Sequence, residues 1–183
     1  MRIAEKRRTR VAIFGGSFNP PHLAHGQIAK WLFSKGLADE LWVIPCFIHP
    51  FGKGLAPFKH RMEMCRLMFG KLALPIRVLD VEEKLGGLSH TIRTVEYLKL
   101  TYPDKAFRLL VGGDVAEQVD DWHDFAKIKR EVGVIEVPRG ESSPIIDISS
   151  TAIRENIAKG RVYRHMVEPE IAVYIVTKGL YRE

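Results

Sequence analysis

Short apolar runs rich in β-branched residues alternate with longer stretches of helical period along this chain, and that alternation restricts its fold more than any other feature. Residues 11–14, 41–44, 76–81, 107–111 and 132–137 read as strands. Residues 23–32, 59–69, 91–100, 122–130, 150–158 and 169–178 have helical spacing, with Met62, Cys65 and Phe69 on one face of the second. Parallel strands need long crossovers, normally helices, so this order predicts an α/β fold: a doubly wound, mostly parallel sheet covered on both faces. No repeat, low-complexity tract or linker divides the sequence. Residues 1–183 are expected to form one domain, residues 1–10 being a basic N-terminal segment.

Composition narrows the class. Apolar residues make up 46% of the chain, enough for a globular core and too many for disorder. No apolar run approaches bilayer length, and the polar, basic start lacks the apolar segment of a secretory signal, so a cytoplasmic protein without membrane contact is expected. Cys46 and Cys65 have no CxxC spacing and read as ordinary thiols of a reducing compartment. The formal charge of +6 calls for an anionic partner. Much of it comes from Arg2, Lys6, Arg7, Arg8 and Arg10, which read as a solvated tail or strand edge. No aromatic residues interleave with them as a nucleic-acid arm would require, so no nucleic-acid partner is expected.

In open sheets of this kind ligands sit beyond the carboxyl ends of the strands, where the connectivity reverses. The first strand runs into Gly15-Gly16-Ser17-Phe18-Asn19-Pro20-Pro21-His22-Leu23-Ala24-His25. Paired glycines there allow a tight turn and a close approach of backbone N–H groups to a ligand. The spacing is neither GxGxxG nor GxxxxGK[ST]. His22 and His25, three apart, share a face of the next helix's first turn, at the positive pole of its dipole. Two ring donors aimed at one point suit nucleotide phosphates; two packed or capping histidines are the alternative. A metal site lacks a third ligand at a recognisable spacing.

A second motif lies in the last third, Asp147-Ile148-Ser149-Ser150-Thr151-Ala152-Ile153-Arg154. Serine and threonine start helices well, yet three hydroxyl residues in a row exceed the needs of one cap. Arg154 falls in the first turn or so, where the dipole disfavours a cation. An anion held between the helix mouth and the guanidinium would remove that conflict, and a solvated Arg154 is the alternative.

Together these two motifs resemble the HxGH-type nucleotidyltransferases, which share a Rossmann-like fold and ATP site with class I aminoacyl-tRNA synthetases. Within that superfamily the chain is similar to nicotinate (or nicotinamide) mononucleotide adenylyltransferases. The likeness runs from Val11 to Tyr181 and takes in Ser89-His90-Thr91-Ile92-Arg93-Thr94, Gly112-Gly113-Asp114 with Trp122, and the ending Gly179-Leu180-Tyr181. It implies transfer of AMP from ATP to a pyridine mononucleotide, with release of pyrophosphate, in NAD biosynthesis. It also implies that Gly15, Gly16, Ser17 and Phe18 line the ATP site, and that His22 and His25 contact the phosphates. Ser149, Ser150 and Arg154 would hold the departing phosphates. Asp114 would accept from ribose hydroxyls and Trp122 would stack on the pyridine ring. Backbone N–H groups near Thr91 and His123 would hold the nicotinate carboxylate. Family members use magnesium carried by the substrate phosphates, which agrees with the lack of a dedicated metal cage here. On the residues alone, Asp114 equally caps a helix, and core packing is the favoured reading of Trp122.

Three departures stand out. Ala24 replaces the usual glycine between the histidines. His49-Pro50-Phe51-Gly52-Lys53 stands where bacterial nicotinate-type enzymes have Pro-Pro-His-Lys or Pro-Pro-His-Arg, so Lys53 reaches a phosphate or stays solvated. Arg93 occupies a position often acidic, and either pairs with a substrate carboxylate or faces water. The remaining functional alternatives are another superfamily member, such as phosphopantetheine adenylyltransferase, and a nucleotide-binding regulator without turnover.

Overall fold

In the computed structural model, which describes residues 7–112, 124–138 and 143–182, the first apolar run becomes the centre of the sheet. Strand β1 (Thr9–Gly16) buries Val11, Ala12, Ile13 and Phe14 in succession, as a strand covered on both faces must. Beside it lie β2 (Glu40–Pro45) and β4 (Lys105–Val111), with β3 (Ile76–Val78) and β5 (Val134–Glu136) at the edges. The order is β3-β2-β1-β4-β5 and every pairing is parallel. This is the expected α/β, doubly wound, Rossmann-like arrangement, parallel throughout rather than mostly so.

Side-chain alternation along β1 assigns each helix its face. Ala12 and Phe14 pack with residues of α1 (Leu23–Ser34), α2 (Phe58–Gly70), α6 (Ser150–Ala158) and α7 (Pro169–Lys178). Val11 and Ile13 turn the other way, toward α3 (Val81–Leu85), α4 (Thr91–Thr101) and α5 (Phe125–Val132). The chain moves outward from β1 to β3, then returns to pair β4 on the far side of β1. That reversal opens a crevice beyond Gly16 and Val111, where such folds bind ligands.

The two last helices span the residues expected of them. The third strand does not: it stops at Val78 because Asp80 stands at the N-cap of α3 and pairs with Lys84 at 2.8 Å. The last strand shrinks to three residues because Val132 closes α5 and Gly133, at φ 67, makes a turn that side-chain-bearing residues resist. Part of the basic N-terminal segment is neutralised within the fold. Asp39 accepts from the Arg10 backbone N–H at 2.8 Å, from Arg10 Nη2 at 2.7 Å and from Arg7 Nη2 at 3.0 Å. The Arg10 guanidinium holds the Asp39 carboxyl well below the usual carboxylate range. Cys46 and Cys65 are free and buried, and burial pushes both thiols up. Among the described residues no helix is long and apolar enough to cross a membrane.

Candidate active site

The paired glycines do not turn the chain. Strand β1 keeps pairing with β2 as far as Gly16 opposite Pro45, and the turn falls at Phe18, a non-glycine residue at φ 45 followed by a cis Asn19–Pro20 peptide. The glycines provide space instead. Gly15 is exposed, and a Cβ there would meet nothing within 4 Å; a Cβ on Gly16 would lie 3.2 Å from the Phe18 ring. Phe18 itself is 2% exposed, with its ring edge-on to Phe14 and Phe69 at centroid distances of 5.5 and 6.1 Å. Its ring belongs to the core, and its backbone is what it can offer a ligand.

Next, α1 starts at the two histidines. His22 is its N-cap, and the His22 backbone N–H donates to His25 Nδ1 at 3.1 Å. That bond places the His25 proton on Nε2, an assignment made from the hydrogen bonding. The two rings lie 3.8 Å apart between centroids. Burial, and after it the neighbouring His22 ring, push the His25 imidazole well below its ordinary pKa. A neutral imidazole at the positive end of a helix is the stable form until an anion arrives to favour the charged one.

The second motif sits against the first. Ser149 caps α6, its Oγ accepting from the Ala152 N–H at 3.1 Å. Ser150 Oγ donates to the Pro20 carbonyl at 2.8 Å, and Arg154 Nη1 donates to the Asn19 carbonyl at 2.8 Å. Arg154 Nη2 reaches Thr151 Oγ1 at 3.3 Å. Each of the three successive hydroxyls therefore has its own task, which accounts for a run longer than one cap needs. The α6 mouth, with its guanidinium, adjoins the turn that leads into the α1 mouth, so both positive helix ends open at one place.

The loop after β2 is tied to the same turn. Asn19, 2% exposed, accepts from the Ala56 N–H at 3.0 Å and reaches the Gly54 carbonyl at 3.5 Å. Lys53, next to Gly54, is exposed; burial, and after it the Lys53 charge, lowers the pKa of His49. Thr91 is the first residue of α4, half-buried behind the N-cap His90. Arg93 is exposed, the second of its two expectations, and its guanidinium also donates to the carbonyls of Leu85, Gly86 and Leu88 at 3.0, 2.8 and 2.9 Å, closing the end of α3. Asp114, Trp122 and His123 lie outside the described residues.

Two buried groups escaped the sequence reading. Arg61, 1% exposed, donates to four carbonyls, those of Ser17, Cys46, Phe47 and Ala56. Its helical spacing from Cys65 on the inner face of α2 was the available signal. Glu82, 8% exposed, accepts from Thr94 Oγ1 at 3.1 Å and from the Phe47 N–H at 3.3 Å, and burial raises its pKa. At the mouth itself the side chains are imidazoles, hydroxyls and a guanidinium, a set that binds phosphate oxygens. Among the described residues no three or more His, Cys, Asp or Glu side chains gather as a metal cage.

Comparison with known proteins bears on this geometry. Residues 13–156 match the family model described as cytidylyltransferase-like. A relative from Anaeromyxobacter dehalogenans, named "Probable nicotinate-nucleotide adenylyltransferase", is 38% identical over 181 residues, covering 94% of this chain and 96% of the relative. One of the same name from Myxococcus xanthus is 31% identical over 179 residues, covering 94% of each chain. Among solved structures, the Plasmodium falciparum nicotinic acid mononucleotide adenylyltransferase complexed with NaAD superposes with a TM-score of 0.77 at 20% identity, covering 94% of this chain and 97% of that one. At that identity the structural match attests the shared fold.

Proposed function

The chain belongs to the cytidylyltransferase-like family and, within it, to the nicotinate-nucleotide adenylyltransferases, and from that membership we propose that it transfers AMP from ATP to nicotinate mononucleotide in NAD biosynthesis. The products are pyrophosphate and deamido-NAD. The observation that carries the reading at the level of this chain's own residues is the junction of the α1 and α6 mouths through Ser150, Arg154, Asn19 and Pro20.

The chemistry asks for little beyond placement. An oxygen of the mononucleotide 5′-phosphate attacks the α-phosphorus of ATP in line. A new P–O bond forms as the bond to the β-phosphate oxygen breaks, and pyrophosphate leaves with the negative charge. The attacking group is already an anion, so no side-chain nucleophile or general base is required. His22 and His25 hold phosphate oxygens at the mouth of α1, His25 through its Nε2–H. Ser149, Ser150 and Arg154 hold the departing phosphates at the mouth of α6. Gly15, Gly16 and Ser17 present backbone and hydroxyl donors along the open end of β1, and Lys53 reaches over from its loop. Asp114 takes the ribose hydroxyls, Trp122 stacks on the pyridine ring, and backbone N–H groups near Thr91 and His123 hold the nicotinate carboxylate. Magnesium, coordinated by the triphosphate itself, supplies further charge neutralisation when bound; the donor set of the mouth fits phosphate, and the ion travels with it.

The test is pyrophosphate release from ATP and magnesium with nicotinate mononucleotide and nicotinamide mononucleotide offered in turn. Turnover is expected with the nicotinate form. Removing one well-aimed donor to developing charge costs about 3 kcal/mol, or two to three decades of rate, so His25→Ala and Arg154→Ala should each be severely slowed. Should neither lose even tenfold, these residues do not have the roles assigned to them. Trp122→Ala should raise KM for the mononucleotide and leave KM for ATP near the wild-type value.

A further inference from the structure

Where β2 leaves the sheet, the Cys46 N–H still donates to the Gly16 carbonyl at 2.8 Å, and from there side chains take over much of the bonding of the backbone of residues 46–48. The carbonyls of Cys46 and Phe47 accept from Arg61 Nη1 and Nη2 at 2.6 and 3.3 Å. On the opposite edge the Phe47 and Ile48 N–H groups donate to Ser89 Oγ at 2.8 and 3.2 Å, with Glu82 Oε2 a second acceptor for Phe47 at 3.3 Å. The Ser89 N–H returns a bond to the Ile48 carbonyl at 2.9 Å. Each grip has a far end. Arg61 reaches the Ser17 carbonyl at 3.0 Å, in the turn assigned to ATP. Glu82 reaches Thr94 Oγ1 at 3.1 Å, in the helix whose first residue, Thr91, is assigned to the mononucleotide. A continuous path of hydrogen bonds thus runs from one half-site to the other through the backbone of Phe47.

Energetics argue that this path does more than hold the fold. Arg61 is 1% exposed and satisfied by neutral carbonyls, and desolvation works against its charge strongly enough to lower its pKa. Burying a charge without a carboxylate partner costs several kcal/mol, and apolar replacements of such groups are often neutral or stabilising. What the guanidinium gives in return is geometry: one planar group fixes four carbonyls from three stretches of chain in a single arrangement.

We infer that Arg61 and the Glu82–Ser89 pair are positioning residues that set the register between the ATP half-site and the mononucleotide half-site, so that the attacking phosphate oxygen meets the α-phosphorus in line. None of the three touches a substrate in this assignment, which rests on the transfer reaction proposed above. Reacting atoms must approach within roughly 3–3.5 Å, and a misplacement of about 1 Å costs roughly a hundredfold in rate. Loosening the register therefore lowers kcat, while each substrate still finds its own half-site and its KM stays close to normal.

Arg61→Lys keeps the charge but loses the fork, and Ser89→Ala removes the hydroxyl shared by Phe47 and Ile48 on the other edge while Arg61 and Glu82 both stay in place. Both are assayed in the full chain by pyrophosphate release with ATP, magnesium and nicotinate mononucleotide, alongside thermal melts. Each variant is expected to lose tenfold or more in kcat, with both KM values within threefold of wild type and a melting temperature above that of the assay. The double variant should fall little below the poorer single one, because both changes act through the same backbone segment. Wild-type kcat in the folded variants, or a loss confined to KM, overturns the inference while leaving the reaction intact. Failure of the wild-type chain to turn over the mononucleotide overturns the reaction and this inference with it. If Arg61→Lys does not fold, Ser89→Ala decides: kcat within threefold of wild type refutes the positioning role.

Discussion

Gly15 and Gly16 are adjacent, yet the structure gives alanine at the two positions opposite consequences. Each substitution removes the same conformational freedom from the unfolded chain, a gain of about 0.4–1 kcal/mol, and neither glycine has a positive φ that alanine would resist. At Gly15 nothing opposes the gain, since no heavy atom lies within 4 Å of the added methyl. At Gly16 the methyl would stand 3.2 Å from Phe18 Cε2 and 3.3 Å from Cζ. The ring cannot yield freely: it is 2% exposed and wedged between Phe14, Phe69 and the His25 ring at 4.9 Å. Overpacking of this kind costs about 1–3 kcal/mol. Because the unfolded-state term is common to both, the difference between the variants isolates the overpacking. At roughly 2–4 °C per kcal/mol for a domain of this size, Gly16→Ala should melt several degrees below Gly15→Ala. Activity should show the reverse order of subtlety. Gly15→Ala, as stable as wild type or slightly more so, places a methyl on the open surface where the triphosphate is proposed to approach. Losing a backbone hydrogen bond to a charged group costs about 1.5–3 kcal/mol, so KM for ATP should rise about tenfold or more. Differential scanning calorimetry and pyrophosphate release measure the two effects. Equal melting temperatures would show that the Phe18 ring can move, and an unchanged KM in Gly15→Ala would show that the open space is not where ATP lies.

Two further outcomes follow from the ionisable groups. Since burial and His22 lower the His25 pKa, the unfolded chain takes up this proton first as pH falls below about 6.5, and stability falls with pH in that window. Thermal melts of the ligand-free protein should therefore drop between pH 7.5 and 5.5, and His25→Asn should show a smaller drop; an identical slope would mean that the ring is not held neutral. Asp39→Asn should lower the melting temperature by removing the negative charge shared by Arg7 and Arg10, and the gap to wild type should narrow in high salt as screening weakens the ion pairs. A gap indifferent to salt would assign the effect to the backbone hydrogen bond alone.

What could be read in advance was whatever depends on neighbours along the chain. Helix α6 starts where Ser149 can cap it, and α7 starts on Pro169 and stops at Gly179, φ 62, so both spans follow from local chemistry. Buried parallel strands betray themselves by unbroken apolar runs, and the two helix mouths proposed to bind phosphate by residues unusual for a helix start. Errors arose where a local pattern admitted two geometries. Paired glycines suggest a turn, but continued pairing with β2 moved that turn to Phe18, whose buried ring then required Gly16 to lack a side chain. Asp80 lay within an apolar stretch and still ended it. An arginine such as Arg93 looks the same in sequence whether it meets a ligand, water or three carbonyls at a helix end.

Sequence alone determined the order of the strands, the layered α/β class and the two motifs that mark the family, because propensity, capping and apolar period act over a few residues, although it gave no sign of α3. Only the tertiary structure decided that Ser150 meets Pro20 across 130 residues, and that Arg61 reaches Ser17 across 44. A buried charge or hydroxyl takes its role from the groups that replace its water, and those come from distant parts of the chain.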